Sequence, residues 1–350
     1  MKEAPPPIGI AGVNIVAGDI DLTCEEFARI SGVPLKTVLE KFGFTKLVRW
    51  GEEGPYLGVF RAASQALGGL DPRKLDAIIA FEHPHHNEHD VYGWGATLKE
   101  QLGAENATLL DVSTACASST MSVHLARDLM IAEGLDHVLL FGIVKVADII
   151  DITKQDMMWM ANISDGAGCI LLSRDPKLDN VVLETELYSD PSFADDVVLT
   201  PEDRERFGIV THKERYRLVI PRRFDTPDKD DFKRRMDPVS VPNYVRVVNE
   251  SLRRSGFTPE QLDLLGMNTI KPSVWRSVLD AFKLDPAKQI YLDEVGHMGY
   301  LDQFHYIERI RRKHLLRDGG VLVLATPGVG FHWTATTIAF KGPRLGGHFA

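Results

Sequence analysis

The sequence contains few cysteines. Only Cys24, Cys116 and Cys169 occur among its 350 residues. Three cysteines cannot build a disulfide framework, and their separations lack the paired spacing of a zinc site. This scarcity excludes a small disulfide-stabilised secreted domain and favours a reducing compartment.

The sequence also lacks an excess of positive charge and a long apolar run. It carries 40 basic and 49 acidic residues, and the resulting net charge of −9 argues against non-specific binding to nucleic acid. No apolar run is long enough to span a bilayer, and the N-terminal segment has no apolar core of the signal-peptide kind. We therefore expect a cytoplasmic protein with neither membrane nor nucleic-acid partners.

What the sequence does contain is the composition of a folded α/β protein. Hydrophobic residues make up 44% and charged residues 25%, which are the proportions of a globular chain with a sizeable core. Apolar strand-like segments at 8–16, 75–81, 107–112 and 137–144 alternate with helical patterns. This alternation predicts an α/β fold.

The second half of the chain repeats the alternation after an interruption. We divide the chain into an N-terminal half, residues 1–180, and a C-terminal half, residues 181–350. Residues 189–239 are charged, contain proline and show little periodicity, which is typical of an excursion from the fold. They predict an inserted cap or arm, followed by a helix over residues 241–255.

Cys116 is the residue most suggestive of chemistry. An apolar segment, residues 107–112, leads through three small residues to this cysteine, and a helical pattern ending at Gly134 follows it. A thiol at the N-terminal end of a helix tends toward the thiolate, which is the form that attacks thioesters. A small buried hydrophobe, the usual role of a free cysteine, is the alternative interpretation.

Five short motifs follow one another in a characteristic order. They are a strand that ends in Glu82, Ala115-Cys116-Ala117 at a helix start, Asp165-Gly166-Ala167-Gly168, Gly296-His297, and the glycine-rich residues 328–333. Together they resemble the thiolase superfamily, and within it the ketoacyl-acyl-carrier-protein synthase III and hydroxymethylglutaryl-CoA synthase branches. The resemblance covers nearly the whole chain, with residues 189–239 matching least. It implies a thiolase-like fold of two related halves in five αβαβα layers, a homodimer, and a cysteine that carries an acyl group.

The resemblance also implies roles for site residues, with one departure. The backbone N–H groups of Cys116 and Val329 would form an oxyanion hole for the acyl carbonyl. Asn268 stands where the synthase III branch has histidine, and His297 stands where it has asparagine. We hypothesise that Cys116, His297 and Asn268 form a permuted triad. The alternative is a degenerate site, in which Asn268 only caps a turn and His297 is a turn histidine.

Three further histidine or acidic features carry competing interpretations. His305 is a second candidate imidazole, although its place on an apolar helix is more typical of packing. Glu82 matches the general base of the hydroxymethylglutaryl-CoA synthase branch, where a carboxylate deprotonates the α-carbon of a second thioester, but a salt-bridged loop glutamate has the same pattern. The histidine-rich residues 83–89 invite a metal site; the family needs no metal, and we expect none.

Recognition of the acyl donor departs from the family too. The adenine clamp of synthase III enzymes, a tryptophan and an arginine, is replaced here by Thr37 and Met157. Lys41, Arg215 and Arg217 are the candidate contacts to the phosphates of the donor. The implied substrate is a thioester of CoA or of acyl carrier protein, with no separate cofactor.

These observations predict an acyltransferase. Cys116 would accept an acyl group and pass it to a second acyl thioester by Claisen-type condensation. Three alternatives stay open: decarboxylative condensation of the synthase III type, acyl transfer to an oxygen or nitrogen nucleophile, and a non-catalytic subunit with the thiolase fold.

Overall fold

Two β-sheets, one from each half of the chain, form the frame of the protein. The computed structural model describes residues 7–81, 94–147, 150–194, 196–201, 222–225 and 228–345. The first sheet has the strand order β1-β7-β6-β4-β5. Its strands are β1 (Ile8–Ala17), β4 (Ala77–Phe81), β5 (Thr108–Val112), β6 (His137–Val144) and β7 (Gly166–Arg174).

The second sheet has the strand order β11-β12-β13-β8. In each sheet a parallel core (β5-β4-β6 in the first, β11-β12 in the second) is extended by antiparallel neighbours. The strands of the second sheet are β8 (Asn180–Ser189), β11 (Leu262–Met267), β12 (Gly320–Gly328) and β13 (His332–Phe340), while β2 (Ile20–Thr23) pairs with β3 (Lys46–Arg49) in a separate hairpin.

Eight α-helices surround and separate the two sheets in the described part of the chain. Helices α3 and α4 cover the outer face of the first sheet, α5 and α8 contact both sheets, and α6 packs with α7 outside the second. The layers therefore run αβαβα, as predicted. The helices are α1 (Cys24–Ser31), α2 (Leu35–Thr37), α3 (Gly54–Leu67), α4 (Gly95–Leu102), α5 (Ser118–Glu133), α6 (Lys229–Arg254), α7 (Pro272–Ala281) and α8 (Asp302–Lys313).

The helix after the interrupted region begins earlier than the sequence pattern indicated. The prediction of a start near residue 241 is wrong, because α6 begins at Lys229 and accommodates Pro238 and Pro242 within it. The Asp228 side chain caps the helix by accepting a hydrogen bond from the Asp231 N–H at 2.9 Å. Apolar periodicity did not predict the first turns of this helix, because its composition is polar and it contains two prolines.

The remainder of the predicted arm is only partly described. Strands β9 (Val198–Pro201) and β10 (Arg222–Asp225) pair antiparallel, and the residues between them lie outside the described ranges. Arg235 of α6 joins this helix to the segment before β9, since its guanidinium donates to Asp196 Oδ1 at 2.5 Å and lies 4.9 Å from the centre of the Phe193 ring. Among the described helices, none is long and apolar enough to cross a membrane.

Candidate active site

Cys116 lies in a short 3-10 turn, Ala115–Ala117, between β5 and α5. The turn is half-buried at the cysteine. Ala115 has a φ of 50°, in the left-handed region that residues with a side chain rarely adopt. The Ser118 hydroxyl stabilises the turn by accepting the Thr114 N–H at 2.7 Å. A strained turn of this kind presents the sulfur at the start of α5.

His297 points its imidazole at that sulfur. The distance from His297 Nε2 to Cys116 Sγ is 3.9 Å. The main chain of this histidine is anchored on both sides, because its N–H donates to the Asn162 carbonyl at 2.8 Å and its own carbonyl accepts the Ser164 N–H at 2.9 Å. The ring is buried, with 4% of the residue exposed. Its approach to the thiol is therefore set by the backbone.

Asp302, the first residue of α8, lies behind the imidazole. His297 Nδ1 is 2.7 Å from Asp302 Oδ2, and this carboxylate is fully buried. It also accepts the backbone N–H of Met298 and of Thr269, each at 2.7 Å. Three donors thus orient the carboxylate, which in turn fixes the imidazole with Nε2 toward the sulfur.

The charge on Asp302 decides the protonation of the imidazole. Burial favours neutral His297, but the Asp302 carboxylate and the adjacent Cys116 outweigh it and raise the pKa of His297 to about 10. The ring is therefore an imidazolium at neutral pH, with Nδ1–H donated to Asp302 and Nε2–H directed at the sulfur. A cation in this place stabilises a thiolate.

Asn268 lies near this line of groups, but its amide is bonded elsewhere. Its Oδ1 accepts from Gln303 Nε2 at 2.9 Å, and its Nδ2 donates to the Gly299 carbonyl at 3.3 Å. The Ser119 hydroxyl donates to the carbonyl oxygen of the Gln303 side chain at 3.3 Å. The asparagine side chain is thus tied to the start of α8 rather than capping the turn before Pro272.

The sequence did not predict three residues of the site. Asp302 and Gln303 are polar and buried at the start of a helix, five and six positions after His297, and their polarity in an otherwise apolar face was the available signal. Tyr244 of α6 is buried, and burial together with the charges of Cys116 and Asp302 raises its pKa well above the ordinary value. Its phenol therefore stays protonated beside the site, and no local motif indicated it.

Among the described residues, no predicted site residue other than His297 forms a hydrogen bond with the thiol, and several predicted residues lie outside the described ranges. Glu82, residues 83–89, Arg215 and Arg217 lie outside the described residues. Lys41 is exposed, in the turn of π-helix Val38–Phe42 that follows α2. His305 is buried in α8, and burial lowers its pKa to about 4. Its Nδ1 has no hydrogen-bond partner among the described residues.

The glycine-rich turn approaches the cysteine closely. Val329 follows directly after β12, whose last residue is Gly328. A Cβ atom on Gly328 would lie 2.4 Å from the Thr114 carbonyl oxygen and 3.0 Å from the Ala117 nitrogen, so only glycine fits between the two segments. Within the described ranges, no three histidine, cysteine or acidic side chains converge as metal ligands would.

Comparison with known proteins identifies the kind of protein to which this chain is similar. The family model of 3-oxoacyl-[acyl-carrier-protein] synthase III matches residues 110–191, and the model of its C-terminal part matches residues 252–340. The chain is a synthase III-like condensing enzyme. Both the predicted family and the predicted thiolase fold are thereby confirmed, as is the prediction of a transferase of the condensing-enzyme class.

Individual relatives of this synthase III-like chain cover most of its length. Beta-ketoacyl-[acyl-carrier-protein] synthase III from Microcystis aeruginosa is 25% identical over 282 residues, which span 78% of this chain and 79% of the relative. The protein of that name from Prochlorococcus marinus is 23% identical over 288 residues, 81% of each chain.

Solved structures share the fold at lower identity. The 3-oxoacyl-[acyl-carrier-protein] synthase III of Aquifex aeolicus has a TM-score of 0.80 at 17% identity, covering 95% of this chain and 100% of that one. OleA of Xanthomonas campestris, with lauric acid and lauroyl-CoA bound, has a TM-score of 0.79 at 14% identity, covering 96% and 100%. The roles of individual site residues in the synthase III-like chain remain predictions.

Proposed function

We propose that the protein transfers acyl groups by way of a thioester on Cys116. The observation that carries this proposal is the alignment of thiol, imidazole and carboxylate: Cys116 Sγ lies 3.9 Å from His297 Nε2, and His297 Nδ1 lies 2.7 Å from Asp302 Oδ2. A nucleophile, a proton-transfer group and a group that orients it are the parts that covalent acyl transfer requires.

The first half-reaction loads the enzyme. The Cys116 thiolate adds to the carbonyl carbon of an acyl thioester, and the negative oxygen is bound by the backbone N–H groups of Cys116 and Val329. The intermediate collapses with cleavage of the bond to the donor thiol, which leaves with the proton of His297 Nε2. The products are acyl-Cys116, a free donor thiol and a neutral imidazole that still donates Nδ1–H to Asp302.

The second half-reaction is a condensation with another acyl thioester. Support comes from the family and from the relatives, which bear the name beta-ketoacyl-[acyl-carrier-protein] synthase III. The α-carbon of the second thioester attacks acyl-Cys116, forms a carbon–carbon bond and releases the thiol. Glu82 is the proposed base for removal of the α-proton; a carboxylated acceptor would instead generate its enolate by losing carbon dioxide.

A second candidate is acyl transfer to a hydroxyl or amine. Two observations favour it. The side-chain amide of Asn268 is hydrogen-bonded to Gln303 and Gly299, and the buried Asp302 carboxylate is hydrogen-bonded to the imidazole of His297. Once the loading step has removed its Nε2 proton, His297 is a base suited to deprotonating an O–H or N–H nucleophile.

Intact-mass measurement tests the shared first step. The protein is incubated with a panel of acyl-CoA and acyl-carrier-protein thioesters, and we expect a mass increase equal to one acyl group. Cys116→Ala should take none, whereas Cys24→Ala, at a buried cysteine outside the site, should be acylated like the native chain. Absence of an adduct with every donor would leave the chain as a non-catalytic thiolase-fold subunit.

Product analysis separates the two candidates. Acyl-loaded protein is offered a second thioester, a malonyl thioester, or simple alcohols and amines, and the products are identified by mass. A β-ketoacyl product supports condensation, and its undiminished formation by Glu82→Gln would exclude Glu82 as the base. An ester or amide product supports the second candidate.

We also propose how the protein meets its partners. Lys41, Arg215 and Arg217 contact the phosphates of CoA or of the carrier protein's prosthetic arm, and the reaction uses no cofactor beyond its thioester substrates. Strand β5 is the outer strand of the first sheet and is largely exposed, which supports a homodimer formed by pairing β5 with its copy. The low cysteine content supports a cytoplasmic location.

A further inference from the structure

Thr326 of β12 connects the strand to the cysteine turn. Thr326 is fully buried, and its Oγ1 donates a hydrogen bond to the Cys116 carbonyl oxygen at 3.1 Å. The same hydroxyl lies 3.1 Å from the carbonyl oxygen of Pro327, the next residue along β12. One hydroxyl proton can serve either acceptor, so this side chain lies at the junction of the two segments.

Two more threonines extend the junction. The Thr334 hydroxyl donates to the Thr326 carbonyl at 3.4 Å, and the Thr120 hydroxyl donates to the Ala117 carbonyl at 3.0 Å. The Thr120 and Thr334 hydroxyls also lie within hydrogen-bond distance of each other, so the single proton of Thr120 serves either the Ala117 carbonyl or the Thr334 oxygen. Buried hydroxyl groups therefore join β12 and β13 to the cysteine turn at the carbonyls of Cys116 and Ala117.

We propose that Thr326 is a positioning residue. It fixes the distance between the backbone N–H groups of Cys116 and Val329, which together form the oxyanion hole. This inference rests on the acyl transfer proposed above. Thr326 bonds to the carbonyl of the residue that bears one N–H, and lies three positions before the residue that bears the other.

An oxyanion hole tolerates only a small error in the positions of its donors. Oxyanion-hole donors act at about 2.7 to 3.1 Å from the developing charge, and a misplacement of about 1 Å can cost on the order of 100-fold in rate. Close packing of Gly328 against Thr114 prevents the two segments from separating or closing freely. The Thr326 hydroxyl supplies the directional contact that packing alone does not provide.

Two reactions of the same sulfur test the proposal. Acylation by an acyl-CoA creates an oxyanion, whereas alkylation by iodoacetamide does not. Thr326→Val retains the shape of the side chain and removes its donor. We expect this variant to be acylated about 10- to 100-fold more slowly, with alkylation within about twofold of the native rate. Thr326→Ser, which keeps the hydroxyl, should recover most of the acylation rate.

Thr336→Val is the matched control. Thr336 is equally buried on β13, and its hydroxyl is paired with that of Thr185 at 2.8 Å, away from the cysteine turn. This variant should acylate at the native rate. If Thr326→Val does not fold, Thr334→Val, which removes the bond to the Thr326 carbonyl, should show a smaller selective loss of acylation.

Three outcomes overturn the inference. Native-like acylation of Thr326→Val would show that the hydroxyl is dispensable. An equal loss of acylation and alkylation would assign its effect to the thiol rather than to the oxyanion hole. A native chain that alkylates at Cys116 but accepts no acyl group would overturn the proposed function, and the role of Thr326 with it.

Discussion

At the level of individual side chains, Asp302 gives the site its chemical character. An imidazole buried without a partner would be neutral, and the buried carboxylate reverses that preference. The histidine and asparagine exchanged between their family positions therefore have unequal surroundings: His297 is supported by an acid, while Asn268 is bonded to Gln303 and Gly299. The exchange keeps an imidazole beside the thiol.

Asp302→Asn should separate the carboxylate's charge from its volume. We expect the pKa of His297 to fall, because burial then outweighs the remaining attraction, and the acylation rate to fall about 100-fold. The pH dependence of iodoacetamide alkylation at Cys116 measures the change. Asp128→Asn, at an exposed carboxylate of α5, is the control and should match the native profile. An unaltered alkylation profile in Asp302→Asn would contradict the assigned role.

The raised pKa of His297 also links stability to pH. The group titrates near 6.5 when unfolded and at about 10 when folded, so the folded state binds the proton more tightly. Its stabilisation is fully present below pH 6.5 and is lost as the pH rises toward 10. Urea unfolding should show that the stability advantage of the native chain over His297→Gln shrinks across this interval. A constant difference would mean that the ring is neutral in the fold.

Among the helices and strands, β12 approaches the cysteine turn so closely that an added side-chain atom has no room. Gly328→Ala places a methyl group 2.4 Å from the Thr114 carbonyl oxygen, so the two segments must move apart. We expect a loss of about 1 to 3 kcal/mol in stability and a marked fall in acylation. Thermal unfolding and the acylation assay measure these effects.

Gly32→Ala supplies the comparison for that substitution. Gly32 ends α1 with a φ of 72° and has no neighbour within 4 Å of an added Cβ. Strain there should cost about 1 kcal/mol while acylation stays native. Equal acylation by the two variants would show that the approach of β12 to the turn does not affect the chemistry.

In the molecule as a whole, β5 ends the first sheet, and no further strand among the described residues pairs with it. Leu110 of β5 is 40% exposed. Sedimentation should show the native chain as a dimer, and Leu110→Glu should shift it toward monomer, because like charges would meet across the paired strands. Leu315→Glu changes a leucine that is 43% exposed elsewhere and should stay dimeric. A native monomer at micromolar concentration would refute this edge as an interface.

Much of the fold was predictable from local pattern. Strand β6 has the bounds that its apolar run indicated, and α5 ends before Gly134, which adopts φ 71° as a helix stop. The N-terminal turns of α6 were not predictable in this way, because they are polar and contain prolines. Their stability comes from the Asp228 cap and from Arg235, whose partners Asp196 and Phe193 lie far away in sequence.

The local sequence was sufficient for the alternation of strands and helices, the helix that follows Cys116 and the choice of candidate nucleophile, because each depends on neighbours within a few residues. Only the three-dimensional packing decided which groups surround the thiol. Cys116 and His297 are 181 positions apart and Thr326 is 210 from the cysteine. Their distances depend on how two sheets pack against α5 and α8, and periodicity along one chain carries no information about that packing.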